Sequence, residues 1–189
     1  MNGNYDTPLT QKGRDQARLV GKFLQERTDI KLRAAIISNV SRTRDTARIA
    51  LSELAYPVET LPPNPLWGER SLGDFENRLL TEVFKNHPEY RDDPRFNRFI
   101  ADYDQKAPNG ENFTEVTERG WLGLEEVERQ FENEDVAIFT HGHLLRCVLG
   151  KMFQLSKEQS IAMSVPNAQP IVVIREGDEY FLEGALRIE

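Results

Sequence analysis

The sequence is poor in the residues that staple, ligate or anchor a chain. One cysteine, Cys147, among 189 residues excludes an internal disulfide. The three histidines, His87, His141 and His143, do not have the spacing of a metal site, so no metal is expected. No apolar run approaches the roughly 18 residues a membrane span needs, and no secretory signal pattern is present, so the expectation is a cytoplasmic protein without a membrane partner. Basic excess is lacking too. With 24 Lys and Arg against 31 Asp and Glu, the net charge is −7. That balance excludes general nucleic-acid binding, because no positive surplus is available to neutralise a phosphate backbone. It leaves room for a local basic pocket that takes one small phosphate ester. Repeats and low-complexity tracts are absent as well, and the length fits one domain, 1–189, with a sizeable core.

What is present alternates between two periodicities. Thr10 is placed to cap a helix whose inward stripe is Ala17, Val20, Phe23 and Leu24. Ala34-Ala35-Ile36-Ile37 reads as a buried strand, and Arg42 to Leu54 as a helix facing inward through Ala47, Ile49, Ala50 and Leu54. Val58 to Leu61 reads as a strand, followed by the loop Pro62-Pro63-Asn64-Pro65. The stretch of about 70–108 shows no strand pattern, only helical pieces near Leu79–Asn86 and Arg95–Tyr103, and reads as a helical lid inserted over a sheet edge. A long helix spans Phe113 to Phe131, with Asn112 as its cap. Val136 to Phe139 is a further buried strand, and Leu144, Leu145, Val148, Leu149 and Met152 trace the helix after it. Ile171–Ile174 and Tyr180–Leu182 form a hairpin about Gly177-Asp178. Strands that alternate with helices predict a three-layer α/β/α sandwich around a mostly parallel sheet.

The residues able to carry chemistry fall where strands end. Thr140-His141-Gly142-His143 joins a strand to a helix. That junction is where open α/β sheets place ligands, and where backbone N–H groups favour an anion. Gly142 lets the backbone approach such an anion closely. His143 caps the helix or points toward the lid, and His87 reads as surface. Arg42, just inside the helix after the first strand, offers a rigid fork of donors that matches phosphate oxygens. Its plainer role would be a solvated arginine. Glu69, between Gly68 and Gly73, is a candidate general acid, because desolvation beside an anion raises a carboxyl pKa; pairing with Arg70 is its structural alternative. Glu111 either reaches the site or serves the helix dipole, and Asn167 either orients a site group or makes a simple turn. Leu66, Trp67, Phe75 and Phe99 could wall a pocket, with core packing the simpler duty.

Taken in order, these motifs resemble the histidine phosphatase superfamily, the phosphoglycerate-mutase-like family. The match runs through Asp6-Thr7-Pro8-Leu9-Thr10 with Gly13 and Gln16-Ala17, Ser38 with Arg42 and Asp45-Thr46-Ala47, and Glu69 with Gly73. It continues through Gly110-Glu111, Thr140-His141-Gly142 and Pro166-Asn167, so it covers nearly the whole chain. The resemblance implies phosphoryl transfer through a phosphohistidine, without metal or cofactor, on a small phosphorylated substrate. Arg42 would clamp the phosphate, Glu69 would protonate the leaving oxygen, and His141 would be the second histidine. The family opens on a buried strand ending in Arg-His-Gly, which carries the nucleophile and a first arginine. This sequence starts at Met1-Asn2-Gly3-Asn4-Tyr5, past that motif, with Asn2 matched to an asparagine shortly after it.

Two expectations follow from that departure. The 189 residues alone form a phosphatase scaffold that is inactive for want of its nucleophile, its N-terminus truncated. The sheet also lacks a middle strand, so its neighbours keep unpaired backbone groups or rearrange. The alternatives are a non-catalytic relative that binds a phosphorylated ligand or a protein, and a phosphoglycerate mutase. The final run Tyr180–Ile188 is a candidate edge for pairing two copies into a homodimer.

Overall fold

The computed structural model describes residues 5–93, 102–184 and 187–188. Strand β1 (Leu32–Ile37) is the centre of a three-stranded sheet in the order β2-β1-β3, with β2 at Glu59–Thr60 and β3 at Asp135–Phe139. Both pairings are parallel, and β1 runs against β3 from Leu32↔Asp135 to Ile37↔Phe139. Only Arg33 of β1 is exposed, as expected of a strand covered on both faces.

Successive side chains of a strand point to opposite faces, and β1 divides the core in that way. Ala35 and Ile37, with Phe139, pack beneath helices α1 (Gln11–Glu26) and α2 (Ser41–Leu51) against Val20, Ala47 and Ala50. Ala34 and Ile36 face helices α5 (Phe113–Gln130) and α6 (Gly142–Met152), with Trp67, Phe113, Val116, Leu144 and Val148. The chain therefore has helices on both faces of an open parallel sheet. Each long helix starts where the sequence predicts. Thr10 Oγ1 accepts from Gly13 N at 3.1 Å at the head of α1. Asn112 and Glu115 form a reciprocal capping box at the head of α5. The two helices on the site side approach closely because α5 carries Gly120. A Cβ there would lie 2.6 Å from Val148 Cγ2 and 2.9 Å from Leu144 Cδ1.

The segment between residues 70 and 108 has a small core of its own, Leu72, Phe75, Val83 and Ala107, around helices α3 (Leu80–Asn86) and α4 (Pro88–Asp92). The predicted helix at Arg95–Tyr103 lies largely outside the described residues. A short helix α7 (Lys157–Ala162) and strand β4 (Met163–Ser164) lead to the hairpin β5 (Val173–Glu176) and β6 (Glu179–Leu182), and β7 (Arg187–Ile188) pairs with β4. Gly177, at φ +63°, makes the predicted hairpin turn. The hairpin is held to α5 by Tyr180, which donates to Glu128 at 2.6 Å and packs edge-on to Trp121. Its opposite face leaves the cross-strand pair Ile174 and Phe181 exposed. Among the described residues no strand pairs with the outer side of β3, and Val136, Ala137 and Ile138 are only half-buried. No helix among the described residues is long and apolar enough to cross a membrane.

Candidate active site

The site forms at the C-terminal ends of β1 and β3. Ser38 N donates to Phe139 O at 3.0 Å, which levels the two strand ends. Each strand then turns directly into a helix. Val40 stays extended before α2, and His141, extended at φ −130° and ψ 161°, is the cap residue of α6. Arg42 on the first turn of α2 and His141 at the head of α6 thus face each other across the sheet edge. Arg42 Nη2 donates to His141 Nδ1 at 3.1 Å, and Arg42 Nη1 donates to Tyr5 O at 2.9 Å. Asp6 accepts from Ser41 N and Ser41 Oγ, so residues 5 and 6 brace the helix that carries the arginine. On its other side the His141 ring meets Ser38 Oγ at 2.8 Å from Nε2.

His141 is only 7% exposed. Burial pushes its pKa down to about 4. The nearby Glu69 charge opposes this, while Arg42, Arg119 and His143 add to it. The ring is therefore a neutral imidazole at neutral pH.

Glu69 approaches from the loop after a single helical turn at Pro65–Trp67. Its Oε1 accepts from Arg70 N at 2.9 Å and lies 3.5 Å from His143 Nδ1. Burial pushes the carboxyl pKa upward, as the sequence suggests. The hydrogen bond from His143 and the charges of His143 and His141 outweigh it and hold the carboxyl below its ordinary range. The Arg70 side chain takes a different course. It donates to Glu111 O at 2.7 Å and Gln105 O at 3.0 Å and lies over the Phe113 ring. Trp67 is buried in the main core, and Phe75 in the small one.

Arg119, which the sequence pattern does not single out, and Thr140 shape this corner. Arg119 of α5 pairs with Glu111 through both carboxylate oxygens, at 2.8 and 3.0 Å. The same guanidinium donates to the carbonyls of Pro65, Leu66, Gly68 and Glu69. It therefore grips the whole Glu69 loop. Thr140 Oγ1 ties that loop to the end of β3 by donating to Trp67 O at 2.7 Å. The signal for Arg119 was its register. It lies among Val116, Gly120, Gly123 and Leu124 on the buried stripe of α5, where a charge needs a partner. His143, which reads from the sequence as a helix cap or lid-facing group, partners Glu69.

The remaining candidates separate. Glu111 is committed to Arg119 and accepts from Ser71 N at 2.8 Å. Gly142 opens α6, and a Cβ there would meet nothing within 4 Å, so its backbone faces open space. Asn167 is exposed in the turn after β4, beside Ala168 at φ +55°. Asn2 lies outside the described residues. His87 pairs with Glu89 and stacks on Tyr90.

Fold and site together define an α/β protein that gathers an arginine, two histidines and a glutamate at one end of a parallel sheet. The chain belongs to the histidine phosphatase superfamily (branch 1), whose family model matches residues 1–185. It is 28% identical over 174 residues to the 2,3-bisphosphoglycerate-dependent phosphoglycerate mutase of Parvibaculum lavamentivorans, covering 91% of this chain and 80% of that protein. Among solved structures it is similar to Bacillus stearothermophilus YhfR, with TM-score 0.81 and 25% identity over 96% of this chain and 86% of the other. The fold is shared with the mycobacterial glucosyl-3-phosphoglycerate phosphatase, at TM-score 0.78 and 20% identity over 97% and 88% of the two chains.

Proposed function

We propose that this chain handles small phosphate monoesters by phosphohistidine-type chemistry, as a phosphatase. Arg42 and His141 hold the phosphate, and the open backbone at Gly142 lies beside it. Glu69, held low by His143 and His141, becomes the acid for the leaving oxygen once the phosphate's negative charge raises its pKa again. The observation that carries the reading is the Arg42–His141 contact at 3.1 Å, with Glu69 close enough to shift the histidine's titration. A planar guanidinium beside a helix start at a sheet edge is suited to a tetrahedral dianion. Arg91 and Lys106 in the 70–108 segment are already paired with Asp92 and Glu115, which favours one phosphate over two. Hydrolysis is therefore preferred to phosphoglycerate mutase, the activity in the name of the Parvibaculum relative.

Phosphohistidine chemistry needs a free imidazole as nucleophile. His141 is tied to Ser38 and Arg42, His143 faces Glu69, and His87 pairs with Glu89 in the 70–108 segment. These commitments favour a second reading for residues 1–189 taken alone: phosphate-ester binding without turnover. Calorimetric titration of this chain with inorganic phosphate, together with aryl phosphate hydrolysis from mildly acidic to neutral pH, tests both readings. Phosphate should bind, and Arg42→Ala should weaken it about 30-fold or more, the worth of charge-assisted hydrogen bonds at about 2 kcal/mol. Binding that ignores Arg42→Ala would overturn the site assignment. Turnover abolished by Arg42→Ala would move the nucleophile to His141 or His143.

A further inference from the structure

The two hydrogen bonds of His141 fix which of its nitrogens carries the proton. A guanidinium has donors and no acceptor, so the nitrogen that meets Arg42 Nη2 at 3.1 Å, Nδ1, must accept. A neutral imidazole has one N–H, which then belongs to Nε2. Ser38 Oγ, 2.8 Å from Nε2, is therefore the acceptor of that N–H. The surroundings of Ser38 suit an acceptor. Val40 N also donates to its oxygen at 3.3 Å, and its own hydroxyl proton is directed to Asn39 Oδ1 at 3.4 Å. Ser38 is fully buried at 0% exposure.

We propose that Ser38 is a positioning residue that locks His141 in its Nε2–H form, leaving Nδ1 as a bare base facing Arg42 and the phosphate. The proposal rests on the phosphate-binding reading above and gives that site a specific proton economy. A phosphate monoester monoanion carries one acidic proton. When it docks, that P–O–H proton passes to Nδ1. The bound pair is then a phosphate dianion and a His141 imidazolium, with charge and atoms conserved. Arg42 Nη2, which cannot donate to a protonated Nδ1, turns to a phosphate oxygen; Nδ1–H also donates to phosphate and Nε2–H stays on Ser38, so both ring donors are used. Among the described residues, the charged and titratable groups that act most on the ring are Arg42 of α2, Arg119 of α5, His143 of α6, and Glu69 on its loop. The two arginines and His143 resist protonation of the ring and Glu69 favours it. The ring should therefore be protonated on binding most readily in mildly acidic solution, where the ligand is a monoanion and brings the proton itself.

The test is side-chain nitrogen NMR of the 189-residue chain carrying 15N-histidine, with inorganic phosphate as the probe. The expected spectrum at neutral pH shows His141 protonated at Nε2 and bare at Nδ1. Saturating phosphate should protonate Nδ1 and leave Nε2–H in place. Ser38→Ala should mix the two tautomers and weaken phosphate about fivefold, the scale of one neutral hydrogen bond. A purely structural role for Ser38 would lower stability without moving the tautomer. Nδ1–H in the parent, or an unchanged tautomer in Ser38→Ala, would overturn the proposal. If Ser38→Ala does not fold, the parent spectrum still decides. A parent in the Nε2–H form that binds no phosphate would overturn the functional reading and leave the Ser38 assignment standing.

Discussion

The two corners of the site are built in different ways. The His141 corner joins side chain to side chain across long sequence distances. Ser38 and Arg42 meet His141 from 103 and 99 residues away. The Glu69 corner is mostly main chain, a loop whose carbonyls converge on one guanidinium, with Glu111 fixing that guanidinium from behind. The first corner can change protonation and partners without moving backbone. The second cannot lose its arginine without releasing the loop. The contrast suits the proposed chemistry, in which the phosphate side must adapt to charge while the acid must be held at a fixed place.

Acid should break the first corner most. His141 is neutral in the folded chain, with a pKa near 4, and ordinary when unfolded, near 6.5. The unfolded chain therefore takes up the proton first. The stability this group contributes is complete above about pH 6.5 and lost as pH falls toward 4. From that shift the loss is up to about 3 kcal/mol. Urea unfolding at pH 7 and at pH 4.5 measures most of it. His141→Gln should flatten the slope in that window, and an unchanged slope would mean that the ring is not desolvated. Glu69, held below its ordinary range, adds its own loss at lower pH in the same sense.

Arg119→Met should break the second corner by somewhat less. The Arg119–Glu111 pair is only partly buried, with side chains about one-fifth exposed, so the full cost of splitting a buried ion pair must be discounted. Four carbonyls and the Glu111 carboxylate would lose the Arg119 donors, Glu111 keeping only Ser71 N among the described residues, and about 2 to 3 kcal/mol of stability is expected to go. Arg119→Lys should recover less than half of that, because one ammonium cannot span the carboxylate and the loop together. Equal unfolding midpoints for the two variants would show that charge alone, and not the fork, holds the loop.

Much of this was legible from residue order, and the unreadable part has a common cause. The strands at 34–37 and 136–139, the caps at Thr10 and Asn112 and the hairpin at Gly177 follow from periodicity and turn chemistry, which are local. Arg42 and His141 stood out because strand ends are where parallel sheets place ligands. Arg119 did not, because its partners are carbonyls some 50 residues upstream, and carbonyls leave no mark on a sequence. Glu111 could be read as site residue or helix-start acid, and its pairing with Arg119 is a tertiary fact that neither pattern contains. The short strand β4 escaped for the same reason, since two residues carry no period, and the final run Tyr180–Ile188 was read as one edge although β6 ends at Leu182 and β7 pairs separately with β4.

The smallest effect expected is that of Glu69→Gln on phosphate affinity, and it links the two corners. Removing the carboxylate removes a negative charge that opposes an arriving dianion, which should tighten binding. The same charge favours protonation of His141, so its loss makes the ring a poorer base and should loosen binding of a ligand that brings a proton. The two effects act in opposite directions on the same equilibrium, so they offset. At neutral pH the affinity for inorganic phosphate should change by less than about threefold, well under 1 kcal/mol. The offset depends on pH. In mildly acidic solution, where the monoanion prevails and proton transfer to Nδ1 matters most, Glu69→Gln should bind more weakly than the parent. In mildly alkaline solution it should bind more tightly. A pH-independent ratio between the two proteins would mean that Glu69 acts on the phosphate alone and that His141 takes up no proton when the anion binds.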